Sequence, residues 1–76
     1  MATTDKATDI ISIWAENDGT IIVSRDDVDA DGNTEYTRTL RTFSADELTD
    51  AREYAVAASR CYAAGAPTTL PVHESV

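Results

Sequence analysis

The sequence has little of what several large classes of protein require. It contains one cysteine, which excludes an intramolecular disulfide and a cysteine-based zinc cluster. Only six residues are basic, against 14 acidic ones, so the formal charge is −8. Direct binding to nucleic acid or to an anionic membrane needs lysine and arginine. We therefore expect neither as a partner.

Long apolar runs are also missing. No stretch approaches the ~20 residues that span a bilayer, and the N-terminus lacks the apolar core of a signal peptide. We therefore expect a cytoplasmic location, in a host cell if the chain is phage-encoded. The 76 residues are enough for one domain, whose core is expected to be thin because alanine supplies 12 of its hydrophobic residues.

Two β-branched stretches on either side of Asp18-Gly19 predict a β-hairpin. We expect a two-residue turn, which would place Trp14 opposite Val23. In this register both faces of the sheet are apolar. One face would carry Ile11, Ile13, Ala15 and Ile22, and the other Ile10, Trp14, Ile21 and Val23.

A threonine-rich stretch over residues 34–43 predicts a third strand, antiparallel to the second. Ser44 and Glu47 have the residue types and spacing of a capping box, which predicts a helix beginning near Ala45. Gly65 and Pro67 predict its end. The expected fold class is α+β: a three-stranded antiparallel β-meander with one long C-terminal helix packed on one face, in the order β-β-β-α.

The predicted strands and helix also define the expected domain boundaries. Residues 1–8 are expected to form a flexible N-terminus, residues 9–65 a single α+β domain, and residues 66–76 an extended or disordered tail. Residues 69–72 are an alternative site for a short fourth strand. The helix should face the core with a narrow stripe at helical spacing: Leu48, Ala51, Ala55, Ala58 and Tyr62.

No constellation of residues predicts catalysis. His73 lies in the tail without a patterned partner, and Cys61 has no histidine or cationic cluster beside it to lower its pKa. A chain this small also builds no deep cleft that would desolvate a carboxylate. We expect a protein that is not an enzyme and has no cofactor.

The loop after the second strand resembles the first half of a calcium-binding loop. Asp27, Asp29 and Asp31 alternate before Gly32, as oxygen ligands for a hard cation would. The closing position, however, is occupied by Arg38, whose charge opposes a metal. We expect calcium to bind weakly or not at all, and interpret the loop as an acidic hairpin turn.

Carboxylates are the most informative feature of the chain. Aspartates cluster before Gly32, and three further acidic residues are spaced to form a row on the predicted helix. Such a surface could enter the nucleic-acid channel of another protein by presenting a similar field. The alternative is that the acidity serves solubility or salt adaptation. The expected acidic surface comprises Asp26, Asp27, Asp29, Asp31, Asp46, Asp50 and Glu53.

The second apolar sheet face predicts an interface, because a single helix can cover only one face. Ile10, Trp14, Ile21 and Val23 would form it. A homodimer through this face is the preferred interpretation, and coverage by the tail is the alternative.

In size, charge and element order over residues 9–65, the chain resembles small phage-encoded inhibitors of host defence complexes, above all anti-CRISPR proteins that mimic DNA. This resemblance implies a non-enzymatic inhibitor that docks on a basic nucleic-acid-binding surface. The same element order also resembles HicB-type antitoxin domains, in which residues 43–47 would open the helix, but the glycine-rich stretch of those domains is missing. The alternative function is therefore a small dimeric accessory or antitoxin-like regulatory domain.

Overall fold

A computed structural model describes residues 8–29, 31–63 and 65–76. The described elements, in chain order, are β1 (Thr8–Ala15), β2 (Ile21–Val28), β3 (Thr34–Phe43), α1 (Leu48–Ser59), β4 (Arg60–Ala63), β5 (Ala66–Thr69) and β6 (Val72–Glu74). The expected flexible N-terminus lies outside the described residues, apart from Thr8, which opens β1.

The expected three-stranded meander is wrong: the main sheet has four strands, in the order β3-β2-β1-β6, and its pairing is mixed. The first three strands pair antiparallel, as expected, whereas β6 lies parallel to β1. The amide of Ile11 donates to the carbonyl of Pro71, and the amide of Ser75 donates to the carbonyl of Ile13, both at 2.9 Å. The tail thus covers the edge that β1 would otherwise expose.

The register of the first hairpin differs by one residue from the expected register. The amide of Glu16 donates to the carbonyl of Thr20, and Gly19 adopts a positive φ of 92°, which favours glycine. The loop is therefore the three-residue type, with glycine in the left-handed region. As a result Trp14 lies opposite Ile22 instead of Val23.

This shift assigns the side chains of β2 to different faces. Ile21 and Val23 now lie on the same face as Ile11 and Ile13, because directly paired residues point to the same side of a sheet. That face and the helix form the core: Ile11, Ile13, Ile21, Val23, Phe43, Ala51 and Ala55, with Leu40, Leu48, Tyr54, Ala58 and Leu70 packed at its margin.

The helix is shorter than expected at both ends. It begins at Leu48, because residues 45 and 46 form a turn in which the amide of Ser44 donates to the Glu47 carboxylate at 2.8 Å. It ends at Ser59, and Arg60 is extended. The Ser59 hydroxyl donates to the carbonyl of Val56, and the Ser59 carbonyl accepts from the amide of Leu70.

Beyond the helix, β4 and β5 form a separate two-stranded hairpin around Gly65, whose φ is 80°. A positive φ at this glycine allows the chain to reverse instead of ending a helix there. The expected apolar stripe is confirmed for Leu48, Ala51, Ala55 and Ala58, while Tyr62 belongs to β4. Among the described residues, no helix is long and apolar enough to cross a membrane.

Candidate functional site

The acidic residues of the expected surface divide between opposite ends of the sheet. Phe43, which leads into the helix, pairs with Ile21 at the start of β2. Asp27 lies six residues further along β2, a distance of about 20 Å at the usual rise per residue of a strand. The structure therefore does not merge the two acidic clusters, and we describe them as the hairpin end (Asp27, Asp29 and Asp31) and the helix end (Asp46, Asp50 and Glu53).

At the hairpin end, Asp29 organises the turn between β2 and β3. One of its carboxylate oxygens accepts the backbone amides of Asp31 and Asn33, each at 2.9 Å. This is an Asx-type arrangement in which an aspartate side chain stabilises its own turn. Asp31 is exposed beside it, so the tip presents negative charge to the solvent.

The expected candidate calcium ligands do not converge. Asp27 lies within β2, one oxygen of Asp29 is committed to backbone amides, and Asp31 points into solvent. Within residues 8–29, 31–63 and 65–76, no group of three histidine, cysteine, aspartate or glutamate side chains is arranged to hold a metal ion. Asp29 stabilises the turn through its backbone hydrogen bonds, and the expectation of weak or no calcium binding stays a prediction.

Asp27 is involved in a carboxyl pair instead. It lies directly opposite Asp9 on β1, and a hydrogen bond between the two side chains raises the pKa of Asp27. Partial desolvation and the negative charge of Asp9 act in the same direction, while Arg25 and Arg38 oppose them. Arg25 binds Asp9 through its Nε at 2.6 Å.

At the helix end, three carboxylates are exposed. Asp50 lies in the first turn of the helix, where negative charge is favourable, and Glu53 follows one turn later. Asp46 lies in the turn before the helix and so is not part of a helical row with them.

The first hairpin loop adds a charge at this end that the sequence patterning missed. A Cβ built on Gly19 would lie 3.2 Å from the Cβ of Ala45, so the loop and the turn before the helix are neighbours. Asp18 in that loop accepts the amide of Thr20 at 2.9 Å, and this bond lowers the pKa of Asp18. The Asp18-Gly19 pair predicts a turn, but it does not predict that the charge of Asp18 lies beside the start of the helix.

Asp26 does not belong to either acidic end. It lies on the sheet face away from the helix, where it is 9% exposed. Its carboxylate accepts the hydroxyls of Ser12 at 2.7 Å and Ser24 at 3.0 Å, and the indole Nε1 of Trp14 donates to the Ser24 oxygen at 3.1 Å. We call these four residues the Asp26 network. It binds the two central strands together through polar side chains.

The expected apolar interface is not assembled by the structure. Ile10 and Trp14 lie on the face away from the helix and are half-buried, whereas Ile21 and Val23 are buried in the core beneath the helix. The outer face carries Ile22 and the polar members of the Asp26 network between the two apolar residues. Ser12, Ile22 and Ser24 are buried on this face, so its centre is not open to solvent.

The two potentially reactive side chains lie apart from the acidic ends. His73 is exposed on β6, level with Ser12 of β1. Cys61 is half-buried in β4 and lines an open pocket of about 330 Å³ together with Arg60, Pro67, Thr68 and Thr69. Within the described part of the chain, no histidine or carboxylate lines this pocket to activate the thiol.

Comparison with protein-family models, curated proteins and solved structures finds no match for this chain. The inhibitor and antitoxin resemblances therefore stay expectations from the sequence, and the expected β-β-β-α order is extended in the structure by β4, β5 and β6. The structure adds the distribution of charge, and that distribution is the basis of the proposal below.

Proposed function

We propose that this chain is a non-enzymatic protein-binding module whose acidic ends dock on a basic, nucleic-acid-binding surface of another protein. The observation that supports this proposal most is that Asp31, Asp46, Asp50 and Glu53 are exposed and form no ion pair within the described part of the chain. Among the described residues only two ion pairs form, Arg25 with Asp9 and Arg52 with Glu74. None of these four exposed carboxylates takes part in either ion pair.

The shape of the molecule suits such an encounter. Its principal extents are 48 × 25 × 15 Å. The net charge of −8 therefore corresponds to one negative charge per about 6 Å along the longest axis. The phosphates of a DNA strand are spaced by ~3.4 Å along the helix axis. The charge density is within a factor of two of a single strand and well below that of a duplex. A channel for one strand is therefore the favoured partner surface.

In this proposal the chain acts as an inhibitor. A protein that occupies a strand-binding channel excludes the nucleic acid without needing a catalytic group. The resemblance to DNA-mimicking anti-CRISPR proteins suggests a host defence complex as the target, and a host cytoplasm as the place of encounter. Attraction between opposite charges would also accelerate association, because exposed charges steer proteins towards complementary surfaces.

The experiment that tests this function is capture from a host extract followed by competitive elution. The immobilised protein should retain a nucleic-acid-binding protein, and a single-stranded oligonucleotide should release it, because both ligands compete for one channel. A matched bait with Asp46→Asn, Asp50→Asn and Glu53→Gln should retain less. A captured protein that binds no nucleic acid, or that the oligonucleotide does not release, would contradict the proposal.

A further inference from the structure

The outer side of β3 is an open edge of the main sheet. The strand order places β3 at the end of the sheet, where it pairs only with β2 among the described elements. Residues 34–39 are all exposed. An edge strand of this kind presents unpaired backbone amides and carbonyls, which can pair with the strand of another chain.

Two irregularities define which part of the edge is regular. The pairing of β3 with β2 shifts between Val23 and Ser24 and again between Asp27 and Val28, so Leu40 and Glu35 are the extra residues. Between them, Tyr36 to Thr39 form an unbroken antiparallel stretch. Any added strand is expected to centre on these four residues.

We propose that the partner at this edge is a second copy of the chain, paired antiparallel about a two-fold axis at Thr37. Hydrogen-bonded and non-hydrogen-bonded pairs alternate in an antiparallel ladder, so a two-fold axis must pass through a residue facing its own copy. The two residues at the centre of the regular stretch are Thr37 and Arg38. An axis at Arg38 would oppose two like charges, which is unfavourable.

An axis at Thr37 makes the stretch self-complementary. Tyr36 of each chain would then face Arg38 of the other, an arrangement that permits cation–π contact twice. Thr37 would face Thr37, a pair that can exchange hydroxyl hydrogen bonds. No like charges oppose each other in this register.

Arg38 is exposed and forms no ion pair among the described residues, although its charge acts on Asp27. Its neighbour on β2 is Arg25, whose guanidinium is bound to Asp9. Arg41, the other arginine of β3, lies over the rings of Phe43 and Tyr54, at 5.1 and 5.7 Å from their centroids. The strand β3 carries two arginines and one glutamate, so this edge has no excess of negative charge, which favours a second copy over the basic partner proposed above.

The dimer inferred here and the complex proposed above should respond to salt in opposite directions. Two chains of charge −8 repel each other, so pairing through β3 should strengthen as salt rises. Docking on a basic partner should instead weaken as salt rises. Either proposal can therefore fail without the other.

Disulfide trapping tests the register. In a Cys61→Ser background, Thr37→Cys places the two thiols in a directly opposed pair, with Cα atoms ~4.5–5.5 Å apart, within the range of a disulfide. Thr39→Cys is the matched control, on the same strand and face, but its two copies would lie about 13 Å apart. In a glutathione redox buffer, the Thr37→Cys chain should form covalent dimer at least about tenfold faster than the Thr39→Cys chain.

Charge substitution provides a second test by sedimentation equilibrium. Thr37→Lys would oppose two ammonium groups and should weaken dimerisation roughly three- to fivefold. Thr39→Lys adds the same charge, but its two copies would lie about 13 Å apart, so it should not weaken dimerisation. Circular dichroism should show both variants folded, since both sites are exposed.

Three results would overturn the inference. One is a wild-type chain that stays monomeric up to about 1 mM at both low and high salt. Another is equal trapping of the Thr37→Cys and Thr39→Cys chains. The third is a dimer that Trp14→Glu abolishes and Thr37→Lys leaves intact, because that dimer would form through the outer sheet face.

Discussion

At the scale of single residues, Asp26 shows how the same residue type takes different roles in one acidic stretch. Asp26, Asp27 and Asp29 follow one another within four positions, yet one is buried in a serine network, one pairs with Asp9 and one closes a turn. Alternation along β2 separates the first two, because successive side chains of a strand point to opposite faces. The three aspartates should therefore contribute differently to the stability of the fold, because each has different neighbours.

The first prediction concerns the Asp26 network. Asp26→Ala removes the acceptor of two hydroxyls and should destabilise the fold by about 1–3 kcal/mol, the usual cost of leaving buried polar groups without partners. The control Asp31→Ala, at the exposed tip, should change stability by less than about 0.5 kcal/mol. Urea unfolding followed by Trp14 fluorescence measures both. Equal effects would show that the network contributes no net stability.

The second prediction concerns pH and Asp27. Its raised pKa means that the folded chain binds this proton more tightly than the unfolded chain does. Protonated Asp27 therefore favours folding below the ordinary aspartate pKa of 3.8, and this contribution is lost as the pH rises through the pKa of the folded chain. Asp27→Asn keeps a hydrogen-bond donor for Asp9 and removes the repulsion. The variant should have the higher urea midpoint at neutral pH.

The outcome at low pH serves as the internal control for this variant. The two chains should become equally stable well below the ordinary aspartate range, because Asp27 is then protonated in the wild type. A midpoint at neutral pH that is equal to or below that of the wild type would show that the pair with Asp9 is not repulsive.

At the scale of elements, the first hairpin loop sets the arrangement of the whole sheet. A three-residue loop in place of a two-residue loop moves Ile21 and Val23 from the outer face to the core. The side-chain period of a strand is two, so a shift of one residue transfers every side chain of the second strand to the other face. Gly19 makes this loop possible through its positive φ.

The third prediction compares two glycines with similar backbone conformations. Gly32→Ala places a Cβ in open space at a φ of 88° and should cost about 1 kcal/mol from the left-handed backbone alone. Gly19→Ala has the same backbone cost and also brings its Cβ to 3.2 Å from Ala45. It should be the more destabilising of the two in thermal or urea unfolding. A smaller effect at Gly19 would mean that the loop and the turn before the helix move apart easily.

At the scale of the whole molecule, unbalanced charge is the dominant feature. The chain has 14 acidic and six basic residues, so repulsion among the negative charges exceeds their attraction to the positive ones. The ion pairs of Arg25 and Arg52 act in the opposite direction. Exposed ion pairs contribute little, typically below about 1 kcal/mol each. The net effect of charge on the folded state should therefore be destabilising.

The fourth prediction follows from this balance. Raising NaCl from about 0.15 M to about 1 M shortens the screening length from ~8 to ~3 Å and should increase the urea midpoint. The triple variant Asp46→Asn, Asp50→Asn and Glu53→Gln carries three fewer negative charges and should gain less from added salt. A fall in the midpoint with salt would show that the two ion pairs outweigh the repulsion.

Local patterns were sufficient for several features of this chain. The Asp18-Gly19 hairpin, the threonine-rich third strand and the helical stripe of Leu48 and Ala51 follow from residue types and spacing, because each depends on neighbours within a few positions. Composition likewise determined the charge and the lack of a disulfide.

Contacts between distant residues decided the rest. The sequence predicts a short fourth strand in the tail only as an alternative, over residues 69–72, whereas β6 covers Val72–Glu74. Its position and its parallel direction depend on tertiary contacts, because Leu70 reaches the core and the backbone at Ile11 and Ile13 accepts a parallel neighbour. The helix gives way to β4 at Arg60 because an extended chain can pair there with β5, so tertiary pairing overrode local propensity. The acidic residues separate into two ends and a buried network because register and face are fixed only when the sheet assembles.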